Sequence, residues 1–339
     1  MDNSIHLRFE ARDRSYFSIL KKEIHALAVA AGFSETKVAK IDIVVAEMTS
    51  NLVKHAGGGE ILVKISTEQQ HTFLELISID NGPGIAEPVR MLEDGMSTTK
   101  TLGNGLGAIK RLSDTFQLYS LRDWGTIILS RIYVAEPVTV GPKLLAEIRT
   151  LVLAKPGEEV SGDGFACRVD RMGICLLLGD GLGHGKEAHK AVTEAMTAFQ
   201  AMPARSPAEM LRELHVQVRK TRGLVASIAV YSIRERQWRL CGIGNIATRS
   251  ISGLVSRSYM PYNGIVGMNI PNSMKEQEWA SERGQVLMMC SDGIRSRIDI
   301  GKYTGIMKYD LTILAAAVYK DYARNTDDMS IVVSRINSA

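Results

Sequence analysis

Apolar residues recur at intervals of three and four along residues 34–56, where Val38, Ile41, Val44, Val45, Met48 and Leu52 share one face of a predicted helix and Ser34 stands at its N-cap. A second helical pattern covers residues 14–31. The period then shortens: apolar runs at 60–65, 73–79, 116–119 and 126–133 read as strands. Helices laid on a sheet predict an α/β sandwich for this first part of the chain.

After the run ending at Val134, the stretch Ala135-Glu136-Pro137-Val138-Thr139-Val140-Gly141-Pro142 holds two prolines and a glycine, which disfavour regular structure. The expected organisation is a first domain at 1–134, a linker at 135–148 and a second domain at 149–339. In the second domain, residues 151–154, 165–169, 173–178, 226–232, 238–243, 286–289 and 329–333 read as strands. Helices are expected at 186–201, at 311–322, and from the capping box Ser206-Pro207-Ala208-Glu209 to about residue 220. Strands outnumber helices here, so the class is α/β (α+β) with sheets and helices in layers.

Composition narrows the reading. A chain of 339 residues is long enough for two cores of ordinary size. No apolar run approaches the roughly 20 residues of a membrane helix, and the start lacks the basic-then-apolar leader of a secreted chain. A cytoplasmic protein without membrane contact is expected. The formal net charge is +4, and residues 1–134 hold 15 basic against 16 acidic side chains, the remainder 26 against 21. Neither half has the basic surplus of a nucleic-acid binder. Cys167, Cys175, Cys241 and Cys290 lie among apolar neighbours without metal-type spacing, as reduced buried thiols do.

Candidate chemistry begins with Glu47 and Asn51, four apart and therefore one turn apart on one helix face. Polar pairs at this spacing usually mark a solvated face; here an asparagine can complete the oxygen shell of Mg²⁺ and a glutamate can take a proton from an attacking hydroxyl. The strand at 73–79 then ends in Asp80-Asn81-Gly82-Pro83-Gly84, a carboxylate followed by a glycine-framed turn suited to an adenine amino group, or by itself to an Asx turn. Leu102-Gly103-Asn104-Gly105-Leu106-Gly107 precedes an apolar-periodic helix, whose free amides attract phosphate.

These three boxes resemble the GHKL ATPase family over about residues 1–134: Glu47-x-x-x-Asn51, Asp80-x-Gly82-x-Gly84, and Gly103-x-Gly105-x-Gly107, with Gly125-Thr126 as the late Gly-Thr beside the adenine pocket. The segment 92–98 and Ile109-Lys110-Arg111-Leu112 look most like the RsbT-type switch kinases. The resemblance implies ATP and Mg²⁺ as cofactors, Glu47 as base or water-orienting group, Asn51 on Mg²⁺, Asp80 on adenine, and serine on a STAS-domain protein as acceptor. His25 and His55 are read as ordinary histidines, since 14–31 is too short for the helical hairpin of a histidine kinase.

In the second half, Asp163 precedes a strand, Asp180 and Asp292 follow strands, and Asp327-Asp328 precedes the last one. Taken singly, each suits a turn or a helix cap. Carboxylates at strand ends can also meet at one sheet edge, where two charges about 4 Å apart repel by roughly 4 kcal/mol at an effective dielectric near 20 and so attract divalent cations. Gly162-Asp163, Asp180-Gly181-x-Gly183-x-Gly185, Ser291-Asp292-Gly293 and Asp327-Asp328-Met329-Ser330 resemble, in order, the motifs of PPM-type phosphatases of the SpoIIE and RsbX branch. That likeness implies an α-β-β-α sandwich holding two Mn²⁺ or Mg²⁺ ions on Asp163, Asp180, the Gly181 carbonyl, Asp292 and Asp327, with Asp328 beside them. Leu182 stands where many eukaryotic relatives have histidine, so His184 is expected to pack at a helix start as readily as to act as an acid.

The combined expectation is a serine kinase fused to a phosphoserine phosphatase, acting on STAS-domain partners. The alternative is a phosphatase gated by a non-catalytic module that holds ATP or a sigma factor.

Overall fold

In the computed structural model, which describes residues 5–11, 14–68, 70–88, 102–136, 145–203, 205–253 and 255–337, the chain builds three antiparallel sheets of five strands each. The first has the order β1-β2-β3-β5-β4, from β1 (Leu7–Glu10), β2 (Glu60–Glu68), β3 (His71–Ile79), β4 (Thr115–Leu121) and β5 (Gly125–Tyr133). Helices α1 (Arg14–Ala30), α2 (Glu35–Ala56) and α3 (Leu102–Leu112) cover one face, with Ile24, Ile41, Met48 and Leu106 packed on Ile61, Val63, Leu74 and Leu76. The α2 stripe is buried as its spacing requires, Ser34 Oγ accepts the Lys37 N–H at its start, and Gly57 closes it in the left-handed region.

The glycine block departs from expectation. Helix α3 starts at Leu102 and already contains Gly103, Gly105 and Gly107, instead of following them as a loop. Glycine weakens a helix interior by about 1 kcal/mol against alanine, so packing against α2 must compensate. The RsbT-like segment 92–98 lies outside the described residues.

The other two sheets stand face to face. One has the order β13-β10-β9-β8-β7, from β7 (Asp163–Val169), β8 (Gly173–Gly181), β9 (Leu224–Ser232), β10 (Gln237–Ile243) and β13 (Gln277–Ala280). Its partner has the order β12-β11-β14-β15-β6, from β6 (Ala146–Leu153), β11 (Ala247–Ser252), β12 (Val255–Ser258), β14 (Val286–Cys290) and β15 (Met329–Ile336). Phe165, Leu176, Leu178, Leu240, Leu287 and Met289 fill the space between them. Helices α4 (Lys186–Ala201) and α5 (Pro207–Gln217) cover the first of these sheets, and α6 (Leu311–Tyr322) covers the second. Strand β6 begins at Ala146, inside the stretch expected as linker, of which 137–144 lie outside the described residues. Strands β1, β11, β12 and β13 escaped the sequence pattern because they are short and carry polar residues; β12 is exposed throughout.

Helix α6 also meets the back of the first sheet. Leu62, Ile77, Ile79, Tyr119, Ile127 and Leu129 form one cluster with Leu311, Ile313, Leu314, Val318, Leu151 and Met288. Residues of opposite parity on those strands face α2, so the first sheet is buried on both sides. The order of layers is α-β-α-β-β-α, with α6 shared. A buried ion-pair chain seals the same contact. Arg131 on β5 donates from Nε to Glu75 (2.7 Å), from its terminal nitrogens to both Asp310 oxygens (2.7 and 3.1 Å), and to Thr312 Oγ1 (2.7 Å). Asp310 caps α6 through the Thr312 N–H, and Arg149 pairs with both Asp310 and Glu68. The four cysteines are free and buried, and among the described residues no helix is long and apolar enough to cross a membrane.

Candidate nucleotide and metal sites

Asp80 lies just past the end of β3, where the turn folds back toward the β4–β5 hairpin. Its Oδ1 accepts the N–H groups of Gly82 (2.8 Å) and Thr126 (3.1 Å), and its own N–H donates to the Thr126 carbonyl. Both side-chain bonds fall on Oδ1, leaving Oδ2 as an acceptor. Burial pushes this carboxyl upward, and the two backbone bonds and the Lys320 charge oppose it. Gly125 is required by contact as well as conformation: at φ +122°, a Cβ there would lie 2.1 Å from the Asp80 carbonyl oxygen. Ser120, which the sequence did not single out, ties the frame together. Its Oγ accepts the Ile85 N–H (2.8 Å), donates to the Gly125 carbonyl (2.9 Å) and stands 2.9 Å from Thr126 Oγ1. Gly82 packs against Ala56 at the end of α2, and Gly84 against the Leu121 carbonyl.

Glu47 and Asn51 face the start of α3. A Cβ on Gly105 would fall 2.7 Å from Glu47 Oε2 and 3.4 Å from Asn51 Oδ1, so this helix can approach only without a side chain there. Asn51 Nδ2 is buried without a hydrogen-bond partner. An unpaired buried amide costs about 1–3 kcal/mol, which marks this position as a place for an acceptor. Gly103 and Gly107 flank it in the same helix.

Residues of the second half reach this frame. Trp124, at the tip of the β4–β5 hairpin and next to Gly125, donates its indole N–H to both Asp321 oxygens (3.1 and 2.9 Å). Tyr303 donates to Asp321 (2.8 Å), and the Lys320 ammonium sits 4.2 Å from the indole ring centre. The Trp124 contacts were not legible in the sequence, since Trp124 and Asp321 lie 197 positions apart.

The second site lies where the two facing sheets end. Asp163 opens β7 directly across from Asp180 on β8, and Gly181, the last residue of β8, donates its N–H to the Gly162 carbonyl (2.9 Å). Asp327 and Asp328 immediately precede β15, and Asp328 is joined to the same corner: a Cβ on Gly162 would lie 2.8 Å from Asp328 Oδ2. Asp328 Oδ1 accepts the Lys155 N–H (2.9 Å). Asp292 follows β14, where Asn245 Nδ2 donates to its Oδ2 (2.9 Å). Burial, then the charges of Asp163, Asp292, Asp327 and Asp328, push the Asp180 carboxyl strongly upward. Burial also raises Asp163, with Asp328 and Asp292 adding to it and the Ser291 and Ser330 hydroxyls opposing. Asp328 is raised by burial as well.

Asp163 Oδ2 and Asp328 Oδ2 are buried with no hydrogen-bond partner. Buried, unpaired carboxylate oxygens among like charges fit a hard divalent cation, which prefers oxygen ligands. The carboxylates share an edge rather than a closed cage: among the described residues, no three His, Cys, Asp or Glu side chains already form a ligand set. Asn245, Ser291 and Ser330 were missed as supports; the last two flank the aspartates in the very motifs that drew attention. His184 pairs through Nδ1 with Glu158 (2.7 Å) and is half exposed, and His189 bonds the Ser161 carbonyl (2.9 Å).

Comparison with known proteins finds two family models on separate parts of the chain. The histidine kinase-like ATPase domain family matches residues 9–131, and the Stage II sporulation protein E (SpoIIE) family matches residues 170–337. The serine/threonine-protein kinase RsbT of Bacillus subtilis is 36% identical over 102 residues, 30% of this chain and 77% of that protein. The phosphoserine phosphatase RsbX of the same organism is 25% identical over 186 residues, 49% of this chain and 93% of that protein. A crystal structure of RsbX in complex with magnesium superposes with a TM-score of 0.51 at 18% identity, covering 58% of this chain and 98% of that one, a likeness of fold. Fold and matches together define a fusion of a kinase-like ATPase domain with a PPM-type phosphatase domain. The chain belongs to the RsbT family in its first half, and its second half matches the SpoIIE family model and has RsbX as a homologue.

Proposed function

We propose that the chain is a two-way regulator of serine phosphorylation, with domains at 1–134 and 149–339 joined by the segment 135–148. The first domain transfers the γ-phosphoryl group of ATP to a serine on a STAS-domain protein. The second hydrolyses such a phosphoserine. The observation that supports it best is the coexistence of two unlike acidic sites in one chain: a single carboxylate framed by backbone N–H groups at Asp80, and a cluster with orphaned oxygens at Asp163 and Asp328.

In the first domain Asp80 accepts from the adenine amino group, with Gly82, Gly84 and Thr126 framing the base. Asn51 would hold Mg²⁺ through its side-chain oxygen, its unpaired amide nitrogen is free to donate to a phosphate, and Gly103, Gly105 and Gly107 allow α3 to approach them. Glu47 takes the proton as the serine oxygen bonds to the γ-phosphorus and ADP leaves. In the second domain Asp163, Asp180, the Gly181 carbonyl, Asp292 and Asp327, with Asp328 beside them, would hold two Mg²⁺ or Mn²⁺ ions. Such ions supply an activated water and neutralise phosphate charge. The chain's own part is to hold those carboxylates along one edge: Asn245 orients Asp292, and the Lys155 N–H orients Asp328. Water adds to phosphorus, and the serine oxygen leaves with a proton.

The test is transfer of labelled phosphate from ATP to a panel of STAS-domain proteins. Glu47→Ala is expected to lower transfer at least about 10²-fold, while release of phosphate from a pre-phosphorylated partner with Mn²⁺ stays at the wild-type rate. Absence of transfer by the wild-type chain to every partner would rule out the kinase reading.

A second reading is favoured by the Trp124–Asp321 contact: the first domain holds a nucleotide and gates the phosphatase. Trp124 adjoins Gly125-Thr126, and Asp321 lies in the last turn of α6, six residues before Asp327. On this reading ATP changes the phosphatase rate by about 5- to 150-fold, the span of ordinary coupling energies. Trp124→Ala is expected to shrink that effect to under about twofold, because it removes the contact that carries the coupling. A wild-type rate indifferent to ATP excludes gating.

A further inference from the structure

A cavity of about 250 Å³ opens at the far end of the sheet that carries Asp163 and Asp180. It is lined by Arg168, Arg205 and Arg239 around a floor that includes Cys175 and Tyr231. Arg168 lies five residues beyond Asp163 on β7, which at about 3.3 Å per residue sets it roughly 17 Å from the acidic edge. The cavity is therefore separate from both sites described above.

Two of its guanidinium groups are incomplete. Arg168 Nη2 and Arg239 Nε are buried with no hydrogen-bond partner. Arg168 is nonetheless held in place: Nη1 donates to the Met202 carbonyl and the guanidinium lies 4.8 Å from the centre of the Phe199 ring. Leaving a charged donor buried and unpaired costs more than the 1–3 kcal/mol or so of a neutral one, and here two such donors belong to residues that line one cavity. Asp170 is the acidic residue among the lining groups, and its Oδ1 is occupied by the Met172 and Gly173 N–H groups (2.7 and 3.0 Å). Burial raises the Cys175 thiol against the opposing charge and hydrogen bond of Arg168, so it adds no competing negative charge. Ser206, the N-cap of α5, brings the positive end of that helix to the rim.

We propose that this cavity is a second, non-catalytic oxyanion site that binds a phosphate group. Planar guanidinium forks match phosphate oxygens two at a time, and the volume equals that of about eight waters, enough for one phosphate with its first hydration. The group comes either from free inorganic phosphate, the product of a phosphatase, or from a phosphoserine side chain on a docked protein.

The test uses the full-length chain in excess chelator with saturating ADP, so that neither a divalent ion nor an open nucleotide site collects phosphate. Inorganic phosphate is titrated at constant ionic strength and followed by calorimetry. One saturable site is expected. Arg168→Gln and Arg239→Gln are each expected to weaken it at least about tenfold, and Arg205→Gln at the rim about threefold. Arg239→Lys keeps the charge but loses the fork, and is expected to lie between Arg239→Gln and wild type. It carries the test should the glutamine variants unfold. A phosphoserine peptide that displaces phosphate assigns the site to docked phosphoprotein; a peptide that fails to displace it assigns the site to free phosphate. No saturable binding, or binding unchanged by every arginine substitution, would overturn the proposal.

Discussion

Asp180→Asn is expected to abolish metal-dependent phosphoserine hydrolysis, by at least about 10²-fold, and at the same time to stabilise the protein whenever divalent ions are withheld. The two effects share one cause. Asp180 is buried among the charges of Asp163, Asp292, Asp327 and Asp328, so its negative form is costly in the absence of a cation. Neutralising it relieves repulsion of about 1–3 kcal/mol. With Mn²⁺ present the sign reverses, because the wild-type cluster gains the binding free energy of the ion and the variant loses most of it. Thermal unfolding in chelator and in Mn²⁺ reads both signs. A variant that is destabilised equally in the two conditions would mean that Asp180 is a structural residue and not part of a cation site.

Arg131→Met carries the second large effect, a loss of about 3–5 kcal/mol of stability. The guanidinium is nearly inaccessible and satisfies Glu75, Asp310 and Thr312 together, so its removal leaves carboxylates facing each other in the contact between the halves. The pH profile distinguishes this from a simple packing defect. Burial works against the charged Glu75, yet the Arg131 charge and the His6 hydrogen bond overcome it and hold that carboxyl down at about 2. Asp310 is likewise held low: burial opposes its charge, but Arg149 and Arg131 outweigh it. For a depressed carboxyl the stabilisation is complete above its ordinary value near 4.5 and disappears as the pH falls through about 2. In Arg131→Met the midpoint of acid unfolding is expected to rise by about one pH unit or more. An unchanged midpoint would show that the ion-pair chain contributes little to holding the halves together.

Much of the local structure was legible because periodicity follows directly from burial on one face. The α2 stripe and the capping box at Ser206 and Glu209 sit where their spacing puts them, and the strands at 165–169 and 173–178 extend two or three residues further, taking in Asp163 and Asp180 themselves. The glycine block differs, lying inside the helix and not ahead of it. Its flanking apolar residues mark a helix correctly, but glycine suggests a loop, and only the close approach of Glu47 to Gly105 explains why glycine occupies a helix there. Helix α6 carried an unused clue. Leu311 to Tyr319 is buried at every position, and a helix apolar on all sides must be covered on all sides.

The residues themselves determined the element types, the two sets of acidic motifs and the families they point to, since each depends on neighbours within a turn or a strand. Tertiary structure alone decided that α6 serves two sheets at once, that Arg131 meets Asp310, that Trp124 meets Asp321, and that three arginines from separate segments border one cavity. Those contacts join residues from about 35 to nearly 200 positions apart. Pattern along a chain records which way a side chain faces, but not what the rest of the chain brings to meet it.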